Sequence, residues 1–165
     1  MAIDATDCLI QRPSNWEVQK FYYNGHKKKH ILKYEIGVNW NNGFICWIAG
    51  PIEGKYHDLT LCRTYGIVAN QTLLKSNEMC WADKGYIGGD GLFVTPVRNP
   101  KDEVQEGWNH FVHSHRWIVE NVLDRMKNFK SLSTKWRHNL NLHPIIFKVI
   151  ASILNLEMYF YPVRK

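Results

Sequence analysis

The alternation of apolar and polar residues predicts strands in the first third of the chain. Residues 31–40 alternate almost without exception, which is the pattern of a half-buried strand. Residues 44–49 are continuously apolar, as in a strand that is covered on both faces. Between them, Asn42-Gly43 predicts a type I′ turn that joins the two strands as a hairpin. A further strand is predicted over 2–8.

Helical periodicity becomes more frequent after residue 58. In chain order, the predicted elements are a helix over 59–71, strands over 79–82 and 92–97, a helix from 104 or 107 to 129, and a helix over 144–159. Asp58 can cap the first helix, since its carboxylate can accept free amide hydrogens of the first turn. Pro144 occupies a favoured first position of the last, amphipathic helix. Residues 11–24 show no periodicity and are expected to be irregular.

This order of elements predicts an α/β fold, with a mixed five-stranded sheet flanked by helices. With 165 residues, 45% of them hydrophobic, the chain is long enough for one domain with one sizeable core over 1–165. No segment is expected to span a membrane, because Lys148, Asn155 and Glu157 interrupt the most apolar run.

The net charge indicates which partners to expect, and the cysteine content indicates the cellular compartment. The net charge of +6 favours a polyanionic partner, and the loop GHKKKH at 25–30 is strongly basic. Four cysteines are widely spaced without a Cys-x-x-Cys pair, which favours reduced thiols and an intracellular protein.

Three carboxylates on three separate elements form a candidate metal site. Asp4 lies on the first strand, Asp83 at the end of a later strand, and Glu120 within the long helix. Hard oxygen ligands suit Mg²⁺ or Mn²⁺, and two such ions can clamp the attacking and leaving oxygens of a phosphoryl displacement. Taken alone, the polar stripe of the long helix favours a solvated face with an Arg116–Glu120 ion pair over a catalytic one. Asp7, on the other face of the first strand, is expected at the surface, as is Asp90.

Five segments together carry a family resemblance. In order, they are AIDATDCLIQRP, FYYNGHKKKHILKYEI, GPIEGKYHDLTL, ADKGYIG and HSHRWIVENVLDRMKNFKSL. They resemble the catalytic domain of DDE transposases, in particular the Harbinger-type superfamily endonucleases and related bacterial insertion-sequence enzymes. The resemblance covers nearly the whole chain. It implies an RNase H-like fold, DNA cleavage and strand transfer, two Mg²⁺ or Mn²⁺ ions, and Asp4, Asp83 and Glu120 as catalytic metal ligands.

The resemblance extends to residues around the carboxylates. Arg116 and Lys127 match the spacing of the family motif around Glu120, whereas His113 stands where that motif has tyrosine. The residues expected to contact DNA phosphates are Lys27, Lys28, Lys29, Lys84, Arg116 and Lys127. Those expected beside the site are His57, Asp58 and His113, with helix capping favoured over metal binding for Asp58.

The chain begins almost on the first catalytic strand, with no helix-turn-helix segment before it. Recognition of transposon ends is therefore expected from an N-terminal part absent from this chain, from a partner protein, or not at all. A homo-oligomer is a further expectation, and the compartment is expected to be the nucleus in a eukaryote and the cytoplasm otherwise. Two alternatives stay open: a transposase-derived protein that binds DNA or a protein without cutting, and an RNase H-like nuclease that acts on RNA.

Overall fold

The computed structural model describes residues 1–70, 74–75, 77–89 and 91–163. Gln71, the predicted last residue of the first helix, and Asp90, predicted at the surface, lie outside these residues. The prediction of that helix was nevertheless too long, because the helix ends at Thr64 and residues 65–70 form turns.

A six-stranded mixed sheet forms the centre of the molecule. Its strands are β1 (Ala2–Leu9), β2 (Tyr23–Asn24), β3 (Lys29–Val38), β4 (Ile45–Glu53), β5 (Cys80–Trp81) and β6 (Phe93–Val94). β3 pairs antiparallel with β1, β2 and β4, and the parallel pairs β1–β5 and β5–β6 complete the sheet. The predicted α/β class with an RNase H-like arrangement is confirmed. The sixth strand, β2, was not predicted, because two residues are too few to show an alternating pattern.

Helices cover the sheet. They are α1 (Trp16–Tyr22), α2 (Asp58–Thr64), α3 (Glu103–Lys127), α4 (Lys130–Ser133) and α5 (His143–Phe160). The predictions of α3 and α5 are confirmed. The expectation of irregular chain over 11–24 was wrong, because α1 forms there. Asn15 caps this helix by accepting hydrogen bonds from the backbone N–H groups of Glu17 and Val18, which stabilises a helix too short to show clear periodicity.

The connection between β3 and β4 differs from the predicted type I′ turn. That turn needs positive φ at two residues, and only Gly43, with φ of 83°, has it here. The loop instead closes through bonds from Gly43 N to Asn39 O and from Asn39 N to Phe44 O, each 2.8 Å long. β4 pairs only with β3 and leaves Cys46 exposed, so it is an edge strand rather than one covered on both faces.

The register of β1 against β3 places successive side chains on opposite faces of the sheet. Asp4 lies opposite Ile36 on the face covered by α3 and α5, where the larger core contains Tyr34 and Phe147. Ala5 lies opposite Glu35 on the other face, where a smaller core packs under α2. The prediction that neighbouring β1 side chains point in opposite directions is confirmed. All four cysteines are free thiols, three of them buried.

The segment Leu140–Phe160 is, by length and composition, long and apolar enough to cross a membrane, contrary to the expectation from its interrupting polar residues. Core helices of water-soluble proteins meet the same criterion. In α5 the side chains of Phe147, Ile150 and Leu154 are buried in the larger core, which accounts for part of its apolar character.

A buried histidine predicts how the fold responds to acid. His143 is fully buried, its Nδ1 lies 2.7 Å from the Tyr34 hydroxyl, and burial, with a smaller contribution from Lys127, lowers its pKa to about 4. The unfolded state, with a pKa near 6.5, therefore binds more protons as pH falls from 6.5 towards 4. We expect this histidine to remove about 2 kcal/mol of stability between pH 7 and pH 4.5.

Urea unfolding of the wild type and His143→Gln at both pH values would test this. Glutamine keeps an acceptor for Tyr34 but does not titrate, so the variant should lose less stability on acidification. Equal losses in the two proteins would show that His143 does not titrate in this range.

Candidate active site

Asp4 is held in a partly buried position on β1, facing α3. The N–H of Ala5 donates to its Oδ1 at 2.8 Å, and Arg116 Nη2 lies 3.2 Å from its Oδ2. The pKa of Asp4 is raised to about 6, mainly by burial; Arg116 opposes this rise, while the charges of Asp83 and Asp58 contribute to it. Three acidic groups are therefore close enough to interact electrostatically, although they come from three separate elements.

Asp83 follows β5 at the start of a 3-10 turn over Lys84–Tyr86. Its Oδ1 accepts a hydrogen bond of 2.7 Å from Gly85 N, which fixes the carboxylate at the edge of the sheet. A Cβ atom on Gly85 would lie 2.9 Å from Asp83 Oδ1 and 3.4 Å from Asp58 Oδ2. Glycine is therefore needed here because it leaves room for two carboxylates, rather than for its backbone freedom.

Asp58 does not cap α2, contrary to prediction. It is the first residue of the helix, after His57, and its Oδ1 instead accepts a bond of 2.5 Å from Lys33 Nζ. Lys33 is only 6% exposed and also lies 3.2 Å from Asp7 Oδ1. The expectation of a surface position for Asp7 was wrong, since its side chain is 10% exposed and paired with lysines.

Glu120 lies on the same stripe of α3 as Arg116, as the helical spacing predicts. Arg116 Nη1 is 3.4 Å from Glu120 Oε1 and Nη2 is 3.2 Å from Asp4 Oδ2, so one guanidinium joins the two carboxylates. Arg116 Nε is buried without a hydrogen-bond acceptor. Within residues 1–70, 74–75, 77–89 and 91–163, no three His, Cys, Asp or Glu side chains are grouped closely enough to hold a metal ion.

The donors around Asp4 nevertheless fit a divalent cation chemically. Carboxylate oxygens are the ligands that Mg²⁺ and Mn²⁺ prefer, and clustered carboxylates are mutually repulsive unless a positive charge lies among them. In this structure Arg116 forms ion pairs with Asp4 and Glu120, and Lys33 forms one with Asp58, so these two side chains supply positive charge to the carboxylates.

The predicted phosphate-binding residues differ in what they contact. Lys28, Lys29 and Lys84 are exposed. The ammonium group of Lys127 instead donates to the backbone oxygens of Asp7 at 2.6 Å and Leu132 at 3.2 Å, which ties β1 to α4.

Among the other residues expected around the site, Lys27 Nζ contacts Asp7 Oδ2 at 2.5 Å. His113 is exposed and lines a cavity of about 340 Å³ together with Asp83 and Arg116. His57 is exposed near His26, with ring centroids 5.8 Å apart. Sequence reasoning missed Lys33, because its place on the polar face of β3 gave no sign that it would pair with Asp58.

Tyr86, at the end of the turn that begins after Asp83, is fully buried, and its hydroxyl is placed to donate to the Glu35 carboxylate. Burial raises the pKa of Tyr86 well above the ordinary value, and the charge of Glu35 adds to this effect. Because phenylalanine would remove the donor to Glu35, we expect Tyr86→Phe to reduce stability by about 1 kcal/mol. Thermal unfolding would measure this, with Tyr22→Phe, a more exposed tyrosine, as control. A gain in stability by Tyr86→Phe would show that the hydroxyl is unpaired.

Comparison with known proteins identifies the family. The family model for the DDE superfamily endonuclease matches residues 3–155. The chain is also 30% identical to a "Probable transposase for insertion sequence element IS702" from Microchaete diplosiphon, over 96% of this chain and 57% of that protein. The chain thus spans little more than half the length of this relative. No solved structure matches it. The chain belongs to the DDE superfamily endonucleases.

Proposed function

We propose that this domain is the catalytic part of a transposase and cleaves DNA phosphodiester bonds with the help of two divalent cations, Mg²⁺ or Mn²⁺. The observation that carries the proposal is the approach of the Asp83 and Asp58 carboxylates to each other around Gly85, close enough to Asp4 for their charges to act on it, within a chain of the endonuclease family. The longer relative from Microchaete diplosiphon is described as a probable transposase, which supports DNA as the substrate.

The proposed roles follow from the positions of the side chains. Asp4 and Asp83 would hold the cations from β1 and from the end of β5, two rigid points of the sheet. Glu120 would complete the ligand set from α3, once Arg116 turns from the carboxylates towards a DNA phosphate. Bound cations supply positive charge to the attacking and leaving oxygens of an in-line displacement. No covalent bond between protein and DNA is needed.

A domain that binds DNA without cleaving it is the second candidate. Arg116 bridges Asp4 and Glu120, and this ion pairing satisfies two of the three proposed ligands without a metal. In a protein that had lost catalysis, the ion pairs of Arg116 with Asp4 and Glu120 would remain intact when DNA binds.

Nicking of supercoiled plasmid separates the two candidates. We expect the wild type to convert supercoiled to open-circular DNA with Mg²⁺ or Mn²⁺, and to stop when EDTA is added. A folded wild type that binds DNA but leaves the plasmid intact with either ion would favour the binding protein.

A further inference from the structure

A basic cavity lies beside the proposed catalytic carboxylates. It has a volume of about 530 Å³ and is bounded by the β2–β3 loop and by the segment between β4 and α2. Asp58 lines this cavity and also approaches Gly85 beside Asp83. Asp58 therefore separates the cavity from the carboxylate cluster, and none of Asp4, Asp83 and Glu120 lines the cavity.

The lysine and histidine side chains of the cavity come from both sides. The β2–β3 loop contributes His26 and Lys27, and the segment before α2 contributes Lys55 and His57. Lys33, on the inner wall, is already paired with Asp58 and Asp7. The charge of Lys27 is likewise partly neutralised by Asp7.

Lys55 is the group best placed to bind an anion. Its ammonium lies 4.1 Å from the ring centroid of Phe21 and 4.9 Å from that of Tyr56, which holds the long side chain in one orientation. Across residues 1–70, 74–75, 77–89 and 91–163, no carboxylate forms a salt bridge with it. A pre-positioned cation without a counter-ion, at the rim of a cavity, suits a phosphate group.

We propose that this cavity binds a phosphate of the DNA backbone, adjacent to the phosphate at which the strand is cleaved. Lys55 is its principal contact. The inference rests on the proposed nuclease function. It distinguishes the three lysines at 27–29, because Lys27 lines the cavity whereas Lys28 and Lys29 do not. It also adds Lys55, which no sequence pattern singles out.

DNA binding of Lys55→Gln tests the assignment, measured by fluorescence anisotropy with a labelled duplex and with Ca²⁺ in place of Mg²⁺. We expect an affinity loss of about tenfold, and a slope of log affinity against log salt that is smaller by about one unit. Lys148→Gln is the matched control, since it removes the same charge from an exposed lysine on α5, outside the cavity; its loss should be under about twofold. Lys55→Arg should retain wild-type affinity.

Equal losses for Lys55→Gln and Lys148→Gln would overturn the proposal, and so would wild-type protein that does not bind the duplex. Failure of Lys55→Arg to retain binding would show that Lys55 acts through packing on Phe21 and Tyr56 rather than through its charge. Competition with inorganic phosphate at constant ionic strength distinguishes the source of the phosphate. Displacement of DNA from the wild type but not from Lys55→Gln would support the DNA assignment, whereas phosphate that binds the wild type through Lys55 without displacing DNA would overturn it.

Plasmid nicking, measured separately, keeps this inference distinct from the proposed function. If the wild type nicks DNA while Lys55→Gln and Lys148→Gln bind it equally, only the cavity assignment fails. If Lys55→Gln alone loses affinity while no metal-dependent nicking occurs, only the nuclease function fails.

Discussion

Asp83→Asn is expected to reduce metal-dependent nicking of supercoiled plasmid by at least about a hundredfold, equivalent to about 3 kcal/mol in the activation barrier. The substitution removes a negative charge at the end of β5 but keeps Oδ1, which can still accept the hydrogen bond from Gly85 N. The turn after β5 should therefore be preserved, and the loss should reflect the metal site alone. Weaker Mn²⁺ binding in calorimetry is expected together with the loss of nicking.

Asp124→Asn is the control for that experiment. Asp124 is an exposed acid on α3, so its substitution makes the same chemical change away from the carboxylate cluster. It should nick DNA at the wild-type rate and unfold at the wild-type temperature. If both variants nick as fast as the wild type, Asp83 is not a metal ligand; if both lose activity equally, the effect is not specific to the proposed site.

Glu35→Ala is expected to destabilise the fold by about 3 to 4 kcal/mol. Glu35 is fully buried at the centre of β3, and its Oε1 accepts bonds of 2.9 Å from Trp47 Nε1 and 2.8 Å from Ile67 N. Alanine would leave both donors unpaired, the second of them on a fully buried residue, and would open a cavity beside Gly66. Urea unfolding at neutral pH would measure the change.

Glu35→Gln provides the matched comparison, with an expected change within about 1 kcal/mol. Burial raises the pKa of Glu35, although the bonds from Trp47 and Ile67 partly offset the effect, so the charged form gains little from its surroundings. The Cys62 thiol and the Tyr86 hydroxyl also lie beside the carboxylate. The glutamine amide retains one acceptor for Trp47 and Ile67 and places a donor near the Tyr86 hydroxyl. A large loss in Glu35→Gln would mean that the negative charge itself stabilises the fold.

Local sequence patterns were sufficient where a side chain's position depends on its own element. The 3.6-residue period of α3 placed Arg116 and Glu120 on one stripe, and the two-residue period of β1 separated Asp4 from Asp7. The same patterns failed for short elements. Two-residue β2 is too short for any period, and the cap at Asn15, rather than periodicity, defines α1.

Pairings between distant residues could not be predicted from these patterns. Asp58 has the sequence position of a helix cap, yet Lys33 is 25 residues away in the chain and reaches it from β3. Lys127 has the spacing of a phosphate contact, yet its ammonium donates to a carbonyl oxygen on β1, 120 residues earlier. In both cases the side chain bonds to the nearest strong partner that packing provides.

The sequence by itself determined the α/β class, the long helices, the face of β1 that carries Asp4, and, through its motifs, the family. These features depend on periodicity and on residue order, which are properties of the chain alone. Only the tertiary structure decided that Arg116 joins Asp4 to Glu120 and that Asp58 approaches Asp83 around Gly85. Such contacts are set by the distances between packed elements, because a charge interacts with whichever opposite charge the fold brings within a few ångströms.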